Sequence, residues 1–116
     1  MPGKKLNFDA VRKIALALPG VEESTLHGAP SFKVSGRLLV CPALHKSAEP
    51  NSLMVRIDFD DRAELLAQNP KVYYVTEHYA DYPGVLVRLD QIDLKSLKKL
   101  LAMARQSITS KTKAKR

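Results

Sequence analysis

Apolar residues recur at helical spacing over Phe8, Val11, Ile14, Ala15 and Leu18, so the chain opens with an amphipathic helix. Asn7 ahead of it is a favoured N-cap, and Pro19-Gly20 ends it. The period then shortens. Residues 21–26 read as a short strand and His27-Gly28-Ala29-Pro30 as a turn. Residues 31–34 alternate, with Phe32 and Val34 on one face and Lys33 on the other. Ser35-Gly36 suits a hairpin turn, and residues 37–44 form the return strand. After the loop HKSAEPN, Leu53, Val55 and Ile57 alternate with Met54, Arg56 and Asp58, a half-buried strand pattern.

Asp60 is expected to cap a second helix through Gln68, with Ala63, Leu66 and Ala67 inward and Asn69-Pro70 as its stop. Residues 72–75 are rich in strand formers. A polar, aromatic connection over residues 76–83 leads to a last strand over 84–89. Asp93 caps the final helix, whose inward stripe is Leu94, Leu97, Leu101, Ala104 and Ile108. The strands follow one another too closely for helical crossovers, so they pair antiparallel. The prediction is an α+β domain of two layers. Its antiparallel sheet has about five to six strands, helices cover one face, and the other face is polar.

Composition changes this picture little. The 116 residues make one domain over 7–108, with a flexible N-terminus over 1–6 and a basic, disordered tail over 109–116. No apolar run is long enough for a membrane helix, and the N-terminus has no signal-peptide pattern. The single Cys41 forms no internal disulfide, so the expected compartment is the cytoplasm. The net charge of +7 comes from the ends. Without Lys4, Lys5, Lys111, Lys113, Lys115 and Arg116 the basic and acidic residues nearly balance. The chain is expected to act as a monomer.

Several strings then line up in order. They are Leu18-Pro19-Gly20 with Glu22-Glu23, His27-Gly28, Pro30, Phe32, Val34 and Gly36, followed by His78-Tyr79, Tyr82-Pro83 and VLVRL at residues 85–89. Their order and spacing resemble the MmcQ/YjbR family of small bacterial proteins over nearly the whole chain except the two tails. The resemblance implies a CyaY-like (frataxin-like) α+β fold whose hairpins form a double-wing DNA-binding arrangement. One departure is visible: many relatives carry a tryptophan where this chain has Gly84, and this chain has no tryptophan.

The strand alternation puts Lys33, Arg56 and Arg88 opposite the apolar face, with Arg37 beside the hairpin turn and Lys46 in the next loop. Such a cationic strip can follow a phosphate backbone, with Tyr73 or Tyr74, Tyr79 and Tyr82 stacking on bases. Lys95, Lys98, Lys99 and Arg105, with the tail, form a second basic region. On this reading the partner is DNA. The alternative is a solvated sheet face whose arginines pair with acids such as Asp58. The chain is then a protein- or small-molecule-binding module using the loop with His78, Tyr79 and Tyr82. In a third view those tyrosines simply pack over the sheet edge.

Catalysis finds little support. Cys41 lies in an apolar strand, where thiols are inert, and zinc needs more ligands than Cys41, His45, His27 and His78 offer. Glu22 and Glu23 point to opposite faces, and Asp60-Asp61 suit a helix N-terminus. Frataxin-type iron binding needs an acidic ridge, whereas the first helix offers Asp9 against Arg12 and Lys13. No enzyme activity, metal or cofactor is expected, and His27 is assigned to a turn.

Overall fold

The computed structural model describes residues 6–26 and 28–114, with 110–114 described by backbone alone. Helix α1 (Phe8–Ala17) begins at Asn7, whose side chain accepts from the Ala10 amide at 3.2 Å. Strands β1 (Val21–Leu26), β2 (Ala29–Val34), β3 (Arg37–Pro42) and β4 (Ser52–Arg56) follow. Helix α2 (Phe59–Gln68), β5 (Tyr73–Tyr74), a 3-10 turn (Glu77–Tyr79), β6 (Gly84–Arg88) and α3 (Leu94–Ala114) complete the chain. The sheet is antiparallel throughout, in the order β1-β2-β3-β4-β6-β5. The predicted α+β architecture is therefore observed, and β5 lies at the edge, outside β6.

The main core lies between the sheet and the helices. Val11, Ile14 and Ala15 of α1 and Leu97, Leu100, Leu101, Ala104 and Ile108 of α3 meet Phe32, Val40, Leu53, Val55, Val85 and Val87. At about 25 cal/mol per Å², burial of these aliphatic faces is the chief stabilising contribution. Arg105 donates to the Pro19 carbonyl at 2.7 Å, tying α3 to the turn that ends α1. Arg12 bonds the Glu23 carboxylate at 3.1 Å and ties α1 to β1, so Glu23 is a structural partner.

Several local expectations are corrected. Helix α2 starts from Asp58, not Asp60, because the chain turns as soon as it leaves β4, with the Ile57 amide bonded to the Pro83 carbonyl. Its inward residues are Leu65 and Leu66, while Ala63 and Ala67 are exposed. Strand β2 starts earlier than expected, at Ala29, and β3 stops at Pro42, leaving Leu44 exposed. The backbone of α3 runs on to Ala114, past the Thr109 at which the tail was expected to begin. His27, Lys115, Arg116, Lys4 and Lys5 lie outside the described residues.

The largest correction concerns the outer sheet face. It is not polar at its centre. Cys41, Met54 and Leu86 form a second buried cluster there, covered by Leu26, Leu38, Ala43, Ala48, Tyr74, Tyr79 and Tyr82. An irregularity in the β2–β3 register produces part of this face. Phe32 pairs with Val40 but Lys33 with Leu38, so Leu39 is an extra residue. Leu39 and Val40 consequently both join the inner core, and Cys41 is turned to the outer face.

Candidate functional site

The outer face is hollowed into a pocket of about 570 Å³. One side is aliphatic: Leu26 and Ala29, which face each other across β1 and β2, with Leu38. The floor is Cys41 and Met54, which are direct cross-strand partners, beside Pro42. The other side comes from two connections, with Leu44 and His45 from one and His78, Tyr79 and Tyr82 from the other. Among the described residues, no Asp, Glu, Lys or Arg lines it. The volume and the apolar walls with a few polar groups at one side match ordinary small-ligand sites. Burial pushes the Cys41 thiol up to about 11, so it stays protonated and unreactive at neutral pH.

Hydrogen bonds hold the polar side in place. The rings of His45 and His78 stack with centroids 3.5 Å apart and planes 6° from parallel. Tyr79 stands edge-on to both, at 6.2 Å and 4.9 Å. The His45 amide donates to the Tyr79 hydroxyl at 3.4 Å. The Ser47 hydroxyl lies 2.8 Å from that of Thr76 and joins the two loops. The Ser47 amide donates to His45 Nδ1 at 3.0 Å. Since that nitrogen accepts, neutral His45 carries its proton on Nε2. Desolvation first, then His78 and Lys46, hold the His45 pKa below its usual value.

The five predicted cations do not form one strip. Arg88 is opposite Ser52 and Arg56 is opposite Gly84, at the two ends of the β4–β6 pair. Arg88 grips the Glu49 carboxylate, donates to the Pro70 and Lys71 carbonyls at 3.1 Å, and lies 4.2 Å over the Tyr74 ring. Arg56 sits 5.8 Å over Tyr82 and reaches its hydroxyl at 3.5 Å. Lys33 pairs with Leu38 on the outer face, whereas Arg37 pairs with Val34, an inner-face residue, and emerges at the hairpin rim. Lys46 is exposed beside His45. The loop residues His78, Tyr79 and Tyr82 do come together, around the pocket.

Comparison with known proteins then fixes the lineage. The YjbR family model matches residues 16–107. The chain belongs to the YjbR family. The uncharacterized protein Rv2570 of Mycobacterium tuberculosis is 33% identical over 111 residues, covering 84% of each chain. The uncharacterized protein Mb2600 of Mycobacterium bovis matches to the same extent. Among solved structures, Deinococcus radiodurans protein DR2400, with a DUF419 domain, aligns with a TM-score of 0.75 at 21% identity. That alignment covers 99% of this chain and 87% of the other, and it shows a shared fold.

Two residues of this YjbR protein shape the site without lining it as charged groups. Arg62 of α2 donates to the carbonyls of Ala80, Tyr82 and Gly84 at 3.0, 3.1 and 3.2 Å, pinning the loop that carries the tyrosines. Gly84 leaves no room for a side chain. A Cβ there would lie 2.7 Å from Met54 Sδ, 3.0 Å from Tyr82 and 3.1 Å from the Val55 carbonyl. The space beside Gly84 is thus filled by Met54 and Tyr82. Reading the strands residue by residue missed Arg62 and the apolar outer face. The second had a signal, since LMV and VLV are continuous apolar runs of the kind that bury both faces. Among the described residues, no helix is long and apolar enough to cross a membrane, and no three potential ligands gather to hold a metal.

Proposed function

We propose that this YjbR protein is a binding module that takes a small, mainly apolar molecule on the outer face of its sheet. The supporting observation is the pocket of about 570 Å³, with its aliphatic wall, sulfur-lined floor and His–Tyr side. Binding rather than catalysis fits the lining. Among the described residues it has no carboxylate or lysine, and its thiol is held protonated. The test is an NMR titration with neutral aliphatic amides and alcohols. Amide shifts should concentrate at Leu38, Cys41, Met54 and Tyr79, and Cys41→Leu, which fills the floor, should abolish them. Shifts spread over the surface, or unchanged by Cys41→Leu, would overturn the reading.

A second reading, weak contact with a nucleic-acid backbone, draws support from Lys33, Arg37 and Lys46. These form no ion pair among the described residues and flank the outer face or its rim. Arg88 adds little to it, being held by Glu49. Fluorescence anisotropy with duplex and single-stranded DNA tests it on three proteins: wild type, Lys33→Glu/Arg37→Glu, and a form with Lys111→Ser and Lys113→Ser. Salt-sensitive binding lost in the hairpin variant supports the reading. Loss in the other variant alone would assign binding to the C-terminal basic residues and remove the sheet face from it.

A further inference from the structure

We infer that the ligand of the outer-face pocket is an apolar molecule ending in a carboxylate, with the acid seated at the His45–His78 pair. The inference rests on the pocket reading above and names the class of ligand.

Polarity is segregated in this pocket. Leu26, Ala29 and Leu38 supply a hydrocarbon wall on one side, and the imidazoles stand on the other. That division suits an amphipathic molecule, with a chain or ring on the wall and a polar end at the histidines. The polar end must accept hydrogen bonds. Ser47 donates to His45 Nδ1, so the neutral ring holds an N–H at Nε2, and no protein acceptor for it appears among the described residues. His78 likewise makes no hydrogen bond among the described residues.

Charge selects the kind of acceptor. Among the described residues, no acidic side chain lines the pocket to repel an anion, and Lys46 adjoins His45. Two imidazoles 3.5 Å apart resist double protonation, so the pair holds at most one proton. The Ser47 amide donates to His45 Nδ1 and so opposes protonation of that nitrogen. A carboxylate supplies the opposite charge and turns a neutral hydrogen bond into a charge-assisted one. The titratable groups around the pair are His45, His78, Tyr79 and Lys46. Imidazole is the side chain whose ordinary charge change falls near neutrality, so a pH dependence there is read through the His45→Phe and His78→Phe variants.

Calorimetric titration with octanoate, octanamide and octylamine provides the test. Octanoate should bind about tenfold more tightly than octanamide at about pH 6, with the gap narrowing by about pH 8. Octylamine should bind most weakly. His78→Phe and His45→Phe keep a flat ring in the stack but remove its donors. Each should bring octanoate affinity down toward that of octanamide, with a smaller loss for octanamide, whose hydrogen bond is neutral. Equal binding of acid and amide, tighter binding of the amine, or an acid preference untouched by both variants would overturn the inference while leaving the pocket reading intact. Failure of all three probes to bind would overturn both.

Discussion

Arg88 and Glu49 lie far apart in the chain but form a forked ion pair, with bonds of 2.8 and 2.7 Å. The same guanidinium caps the Pro70 and Lys71 carbonyls and covers Tyr74, whose hydroxyl meets Ser52 at 2.6 Å and the Glu49 amide at 2.8 Å. One arginine thereby clamps edge strand β5 and the loop before β4 to β6. Arg88→Ala should cost about 2 kcal/mol by urea unfolding, since it removes charge-assisted bonds and uncovers an aromatic face. Arg88→Lys should recover little, because an ammonium cannot fork. The Arg88 hydrogen bonds hold the Glu49 carboxyl below its ordinary range. Its contribution is present at neutral pH and is lost as pH falls through that lowered value.

Much of the fold was legible in local pattern, because helices α1 and α3 and the β2–β3 hairpin are set by spacing, capping and turn chemistry. The site was less so. Arg37 was expected beside the hairpin turn and lies there, paired with Val34, but the extra residue at Leu39 changes the phase of β3 beyond it and turns Cys41 to the outer face, and no periodicity rule sees a bulge. Arg56 and Arg88 shared a face by alternation, but they belong to opposite ends of paired strands, and register is a property of two segments. Met54 and Leu86 looked like outward positions. They are buried because a distant loop folds over them. What local pattern could reveal was the aromatic loop itself, and His78, Tyr79 and Tyr82 do surround the pocket.

Arg62 controls that loop through the three carbonyls it binds. Its guanidinium also lies 4.7 Å over the Phe59 ring, which preorganises the fork. Arg62→Ala should destabilise by about 2 kcal/mol, because three part-buried hydrogen bonds to loop carbonyls are lost. Amide hydrogen exchange should accelerate over residues 78–84 more than in β2 or β3. Uniform acceleration across the sheet would instead make Arg62 a general stability residue.

The stacked histidines give folding a pH dependence of known sign. The His45 pKa lies below its ordinary value of 6.5, by desolvation first and then by His78 and Lys46. The unfolded chain therefore takes up a proton that the folded chain refuses. Stability should be greatest above the ordinary value, fall as pH drops through it, and level off below the lowered pKa. His45→Phe should remove this slope while keeping the stack. A slope unchanged in that variant would assign it to other groups.

Gly84 tests how closely the aromatic loop is seated on the sheet. Its conformation is ordinary for any residue, so what requires glycine is space: Met54 Sδ at 2.7 Å and the Val55 carbonyl at 3.1 Å from a would-be Cβ. Gly84→Ala should destabilise by about 1–3 kcal/mol through overpacking. Met54→Ala alone should open the pocket floor, because Met54 lines it. The double variant should recover only part of the loss, since the methionine sulfur is removed but the Val55 carbonyl is backbone and stays. Full recovery would show that side-chain crowding alone excludes a residue at 84. No recovery would place the conflict with the Val55 carbonyl and the Tyr82 ring.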